Sequence, residues 1–362
     1  MNTQAQVIVR HSDMLAHERI AAVMQVTAAD DSLAIESSIL GHPEHMALEE
    51  PRAIYQKWWV KLAVGALAVW MWLLAWLWRF TIGLPYRWMD KAHWGLGPVN
   101  GSLFFDRIHW LARQIRRGVT TSEALDATYA APIILAEAKN WRDKVAQFWF
   151  WQPDASSVRN RLRITYQQMF GELERLWKTG QREFRVLSLA CGSAQASIEA
   201  LATFLRAHPD ADITLTLVDL SKPSLRRAAR LAQARGASNR VIIMEMNLRN
   251  FLSSQRNSHS WDIVEMVGFL DYRTEESVIR LTRDVLSLLK LGGLYIAAHI
   301  APAGIWSFVT AEVHRWHFME RRTAVHYMRL LLLGGFLEDE IRLIIEGHRI
   351  HPVSLCRLKY SR

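Results

Sequence analysis

The sequence predicts an α/β protein: a mostly parallel sheet with helices on both faces in the second half of the chain, preceded by an α-helical N-terminal region containing one membrane helix. Three observations carry this prediction. After Gly180, short apolar runs alternate with amphipathic stretches, as they do in a sheet wrapped by helices. The first run opens into a turn of small residues, Ala190-Cys191-Gly192-Ser193-Ala194, that leads into a helix. Earlier in the chain, Leu62 to Trp78 gives 17 residues without a charge, flanked by Lys57, Lys61 and Arg79.

At 362 residues, half of them hydrophobic, the chain has room for one large α/β domain and an N-terminal extension, and disorder throughout is excluded. The net charge of +9 suits a surface that meets phosphates. Anionic lipid is as good a partner for it as nucleic acid, and no nucleic-acid role is expected. Two cysteines, Cys191 and Cys356, with no paired framework and no zinc spacing, fit a reducing compartment and give no expectation of a metal.

Residues 1–56 hold eight acidic residues against three basic ones and read as an acidic, poorly ordered or loosely helical tail. The start lacks the pattern of a secretory signal, so the apolar segment is expected to be retained. Residues 57–81 are predicted as the membrane helix, with an interfacial helix and a buried core helix as the alternatives. Its length and its tryptophans (Trp58, Trp59, Trp70, Trp72, Trp76, Trp78) favour a membrane. Residues 82–180 read as a helical connector and cap, broken at Pro85, Gly95-Leu96-Gly97-Pro98, Gly118 and Pro132. The arginine-rich strings Arg159–Arg163 and Arg226–Arg230 are expected on solvated helix faces.

Residues 181–362 carry the sheet. Strands are expected at Phe184 to Ala190, Ile213 to Asp219, Val241 to Met246, Trp261 to Val267 and Gly293 to His299, followed by an antiparallel pair at Ile341 to Glu346 and Val353 to Tyr360. Helices are expected at Gln195 to Ala207, Lys222 to Arg235 and Glu275 to Lys290. The small-residue turn lets a ligand approach the backbone, and the helix start beyond it offers free N–H groups to a carboxylate or phosphate. Asp219 lies 27 residues after Gly192 at the tip of the second strand, where an acid can accept hydrogen bonds from both hydroxyls of a ribose. Asn247 and Leu248 end the third strand, where an amide and an apolar neighbour suit an adenine edge and face.

This succession, with the strings LSLACGSA, VGFLDY and LKLGGLYI, resembles the Rossmann-like, seven-stranded class I S-adenosyl-L-methionine (SAM) dependent methyltransferases over about half the chain, and more narrowly a bacterial branch found beside hydrolase domains. The resemblance implies SAM as cofactor. Ala190, Cys191, Gly192 and Ser193 would line its methionine moiety, Asp219 with Leu220 its ribose, Asn247 and Leu248 its adenine, and Val267 and Gly268 its sulfonium side. The sequence departs from the family pattern at Ser188, where an acid is common, and at Ala190 and Ala194, which replace glycines. Those methyl groups are tolerable if the turns need no positive φ.

Methyl transfer is an in-line displacement at an activated carbon, so positioning and exclusion of water supply most of the rate. If the acceptor must lose a proton, Tyr272 and His299 are the candidate bases. The aromatic stretch Ile305 to Met328 reads as a substrate-binding insertion, and His314 and His317 as an i, i+3 pair on one helix face. The expected function is a methyltransferase at the inner (cytoplasmic) membrane with its catalytic domain in the cytoplasm, acting on a small hydrophobic or amphipathic acceptor such as a lipid or acyl compound. A SAM-binding membrane scaffold and a nucleotide-dependent oxidoreductase are the alternatives, the latter disfavoured by the lack of a GxGxxG string.

Overall fold

A computed structural model describes residues 40, 46–80, 108–117, 121–314, 316 and 318–360. After a single turn at Ala53–Gln56 come α1 (Trp58–Phe80), α2 (Trp110–Arg117), α3 (Ser122–Ile134), α4 (Trp141–Phe150) and the long α5 (Pro153–Lys178). The sheet domain then runs β1 (Glu183–Leu189), α6 (Gln195–Ala207), β2 (Asp212–Asp219), α7 (Lys222–Ala234), β3 (Val241–Glu245), α8 (Leu248–Ser254), β4 (Trp261–Met266), α9 (Glu275–Leu286) and β5 (Leu289–Ala298). It closes with α10 (Ile305–Glu312), α11 (Ala324–Leu333), β6 (Ile341–Ile344) and β7 (Val353–Arg357).

The seven strands lie in the order β3-β2-β1-β4-β5-β7-β6. β1 to β5 are parallel, and β7 runs antiparallel to both β5 and β6. Because both faces of the sheet are covered, its strands read as near-continuous apolar runs, and two cores result. One holds Phe184, Ile198, Phe204 and Ile213, and the other Val264, Tyr295, Tyr327 and Phe336. The strand order reverses between β1 and β4, and a ligand crevice is expected outside the carboxyl ends of the strands at that point.

Several expectations change. β5 begins at Leu289 rather than Gly293, and its register against β4 shifts between Trp261 and Ile263. Gly293 permits this irregularity, since a Cβ there would stand 2.8 Å from the carbonyl oxygen of Lys290. The arginines of α5 are not solvated: Arg159, Arg161 and Arg163 are all buried. Glu49, at the end of the segment read as a tail, reaches the guanidinium groups of Arg159 and Arg163. Arg161 meets Asp271 at 3.0 Å. Elsewhere the tail lies outside the described residues.

The predicted membrane helix forms as α1, but among the described residues no helix is long and apolar enough to cross a membrane. The cause is local. Tryptophan is amphipathic rather than strongly apolar, and one stripe of the helix (Val60, Val64, Ala68, Met71) is buried in a core shared with Trp149, Trp306 and Val309. Ile305 of α10 lies 3.1 Å from where a Cβ on Gly65 would be. The opposite face exposes Trp58, Trp59, Leu62, Trp70 and Trp72.

Candidate active site

The crevice between β1 and β4 is present as a cleft of about 1270 Å³. Every residue assigned above to the cofactor lines it: Ala190, Cys191, Gly192 and Ser193 after β1, Asp219 and Leu220 after β2, Asn247 and Leu248 after β3, Val267 and Gly268 after β4. The turn after β1 is built on left-handed backbone, with φ of 50° at Ala190, 56° at Gly192 and 52° at Ala194. The condition for tolerating the two alanines therefore fails, and each methyl group sits in a conformation that costs an L residue about 1–2 kcal/mol. This bend aims the start of α6 at the cleft, and Gln195, Ala196 and Ser197 line it. With no side chain capping the N-terminus of α6, its N–H groups suit a carboxylate.

Asp219 is held firmly. One carboxylate oxygen accepts the Gly192 N–H at 2.8 Å and the other the Ser221 N–H at 2.7 Å. The Asn247 side-chain oxygen accepts from the Arg249 N–H and caps α8. Burial and the neighbouring Asp219 and Glu265 carboxylates push the Cys191 thiol well above the usual range, which disfavours the thiolate.

The two candidate bases fare differently. His299 lines neither the cleft nor the cavity beside it. It is fully buried, its ring tilted against that of Tyr327 at 5.2 Å between centroids, with Asp271 at 3.4 Å. Burial lowers it to about 4, so it is neutral at pH 7 and structural. Tyr272 does line the cleft, but burial pushes its phenol up to about 12 and its oxygen accepts from Trp316 Nε1 at 2.6 Å. A neutral phenol so placed donates and orients; it does not abstract protons. The expected histidine pair also dissolves. His314 lies beyond the end of α10, buried against Trp149 and bonded to Gln152, and His317 lies outside the described residues.

Sequence reasoning missed the residues that roof the site. Asp126 of α3 accepts from Ser193 Oγ at 2.6 Å and Gln195 Nε2 at 2.9 Å, and Arg227 of α7 pairs with it at 3.0 Å. Ser122 bridges to Ser224 at 2.7 Å, and a Cβ on Gly192 would meet the Ser122 side chain at 3.0 Å. The isolated acid in the apolar string Ala124-Leu125-Asp126-Ala127 was the available signal. Glu265 was also missed, an acid in the middle of the apolar run Trp261-Asp262-Ile263-Val264-Glu265-Met266.

Residues 186–293 match the profile of a family described as a methyltransferase domain. With the strand order, the crevice and the acid at the tip of β2, this makes residues 186–293 a Rossmann-like, SAM-dependent methyltransferase domain. The cleft fits SAM, for which Asp219 could hold the ribose and the α6 N-terminus and the β1 turn the methionine end. None of the curated proteins compared with the chain matches it.

Solved structures of similar shape include a possible exported protein from Bordetella parapertussis, 16% identical, over 73% of this chain and 100% of that one at a TM-score of 0.44. The apo form of the SAM-dependent methyltransferase SibL is 16% identical over 78% and 76% at 0.43. Magnesium protoporphyrin IX methyltransferase from Synechocystis PCC 6803 is 14% identical over 55% and 86% at 0.39. Likenesses this distant carry no argument about activity.

Proposed function

We propose that the protein transfers the methyl group of SAM to a small amphipathic acceptor bearing an anionic group, at the surface of the cytoplasmic membrane. The size of the cleft carries this reading. Single-ligand pockets run to roughly 300–1,000 Å³, and about 1270 Å³ gives room for the cofactor and a second small molecule. The cleft is also lined by Arg249, Arg256, Arg273, Arg280 and Arg283, which favour a carboxylate or phosphate. Phe269, Tyr272 and Phe318 add apolar surface.

A second cavity, of about 70 Å³, adjoins the cleft at Leu125, Gly268 and Tyr272 and lies under the helical roof. It is lined by Trp149, Phe150 and Trp316 with buried Gln152 and Asp154, and it is suited to the acceptor's reacting end. Bound SAM would supply a methyl carbon activated by a sulfonium. The chain's part is to align the acceptor and exclude water, with the Tyr272 phenol as an orienting donor. An anionic carboxylate acceptor needs no base, which agrees with the absence of a suitable base among Tyr272 and His299.

The membrane part rests on the exposed tryptophan face of α1 beside Lys57 and Lys61, a pattern suited to an interface with anionic lipid rather than to a span. The test is methyl transfer from labelled SAM to an acyl carboxylate and to the matching alcohol. We expect turnover of the carboxylate, and the Arg280→Ala/Arg283→Ala protein should show a raised KM for it. Equal turnover of both acceptors, or a double variant with unchanged KM, would refute the anionic acceptor.

A further inference from the structure

Glu265 is a buried carboxylate facing the cofactor cleft, and its described hydrogen bonds all come from neutral donors. It accepts from Ser188 Oγ, from the Val267 N–H at 2.8 Å and from Ser197 Oγ at 3.5 Å. It is 7% exposed and lines the cleft beside Ala190, Cys191 and Val267. The counter-charge described near it, Arg161, acts on it at a distance and is itself paired with Asp271. A buried carboxylate whose described hydrogen bonds are all from neutral groups is costly, which favours a cation that arrives with a ligand.

The pairing register shows why the acid stands on β4. Ser188 is the β1 position where the sequence lacks the acid usual for this fold, and its partner across the ladder is Glu265. The two side chains touch at the strand ends, where the order of the sheet reverses. A carboxylate on β4 therefore reaches the space that one on β1 would fill, and the Ser188 hydroxyl is what remains on the other side. The cofactor brings two positive groups to this crevice, the α-ammonium of its methionine part and the sulfonium. With the ribose on Asp219, the methionine part would run along the β1 turn, and Glu265 lines the same cleft beside Ala190 and Cys191 of that turn.

We propose that Glu265 is the residue that binds the α-ammonium group of SAM, the acid of this site having moved from β1 to its neighbour β4. The inference rests on the SAM assignment and goes beyond it. It makes Glu265 a cofactor-positioning residue, acting on the methionine end while Asp219 acts on the ribose. No bond is made or broken by it, and its role is complete once the cofactor is seated.

The titratable groups described around Glu265 are Arg161 of α5, Tyr129 of α3, Cys191 after β1 and Tyr295 of β5. Burial holds the phenols and the thiol above their usual ranges, and Arg161 stays cationic. Burial also raises Glu265, to about 7, which makes it the group of this set that titrates near neutrality. An ammonium ligand favours the ionised form, so binding should release a proton and tighten as the pH rises from about 6 to about 8.

The experiment is calorimetry of the full chain with SAM, S-adenosylhomocysteine and 5′-methylthioadenosine, the last lacking the amino-acid part. Glu265→Gln should weaken the first two by about tenfold or more, the scale of a hydrogen bond to a charged group. It should leave 5′-methylthioadenosine unchanged and flatten the pH dependence. Ser188→Asp in the Glu265→Gln background should recover affinity by restoring a carboxylate from the β1 side, and thermal melts of the unliganded proteins confirm folding. A folded Glu265→Gln protein that binds S-adenosylhomocysteine as the wild type does overturns the proposal. Loss of SAM binding alone, with S-adenosylhomocysteine unaffected, overturns it in favour of the sulfonium. A wild-type protein that binds none of the three defeats the SAM assignment itself.

Discussion

Asp219 uses both carboxylate oxygens to hold backbone, one on Gly192 and one on Ser221, before any ligand arrives. Each oxygen retains a lone pair for a ribose hydroxyl, so the acid is set in place without reorganisation. Replacing it by Ala should cost SAM binding about 1.5–3 kcal/mol, measured by titration beside a thermal melt. Unchanged affinity in a folded Asp219→Ala protein would remove the ribose assignment. The two alanines with positive φ lead to the opposite kind of prediction. Ala190→Gly and Ala194→Gly each relieve a left-handed methyl group, and each should stabilise the protein by about 0.5–1 kcal/mol after the entropy of Gly is set against the strain. Chemical denaturation of the single variants reads this directly.

Among the elements, α5 ties the N-terminal region to the sheet domain through buried charge. Glu49 faces Arg159 and Arg163 and is held at about 2, burial pulling it up and the two guanidinium groups pulling it down further. Its folded value lies below the unfolded one near 4.5, so its contribution is complete above about pH 4.5 and is lost as the pH falls toward 2. The scale is about 3 kcal/mol. Wild-type stability should therefore fall across this window by more than that of Glu49→Gln, which should already be destabilised at pH 7 because two buried arginines lose their counter-charge. Parallel acid titrations of the two proteins by circular dichroism check the difference. The exposed face of α1 belongs to this scale as well. Full-length protein should float with vesicles containing anionic lipid and be released by alkaline carbonate. A Trp58→Ala/Trp59→Ala/Trp70→Ala protein should stay at the bottom of the gradient. Equal flotation of the two would end the interfacial role of α1.

For the whole molecule, the roof formed by α3 decides access to the cofactor cleft. Asp126 joins that roof to the β1 turn through Ser193 and Gln195 and to α7 through Arg227. Cofactor binding and the order of that roof are therefore expected to be coupled through the same loop. Asp126→Ala should raise amide exchange across Ser122–Ile134 and weaken SAM binding, whereas exchange in β1 and β4 should stay unchanged. A ligand that binds only the folded protein stabilises it by about 2.7 kcal/mol at a hundredfold excess over its Kd, so the same variant should show a smaller SAM-induced rise in Tm. Exchange in α3 that does not respond to the substitution would rule out this coupling.

By itself the sequence determined the order of the sheet elements along the chain and the small-residue turn that opens on the cleft, because both are written locally. Apolar runs of strand length, the small residues after β1 and the acid after β2 declare themselves within a few positions. α6 runs from Gln195 to Ala207 as expected, and the residues assigned to the cofactor line one cleft. Only the tertiary structure decided which charges are buried, since burial depends on what is packed from far along the chain. Arg159 and Arg163 share one face of α5 and Arg161 lies on the opposite one, yet all three lie inside because Glu49 and Asp271, about 110 residues away on either side, come to meet them. His299 was placed at a strand end by its pattern and removed from the site by the elements that close over it. Ser188 read as a missing acid until the β1–β4 register set Glu265 beside it, a relation between residues 77 apart that no local pattern carries.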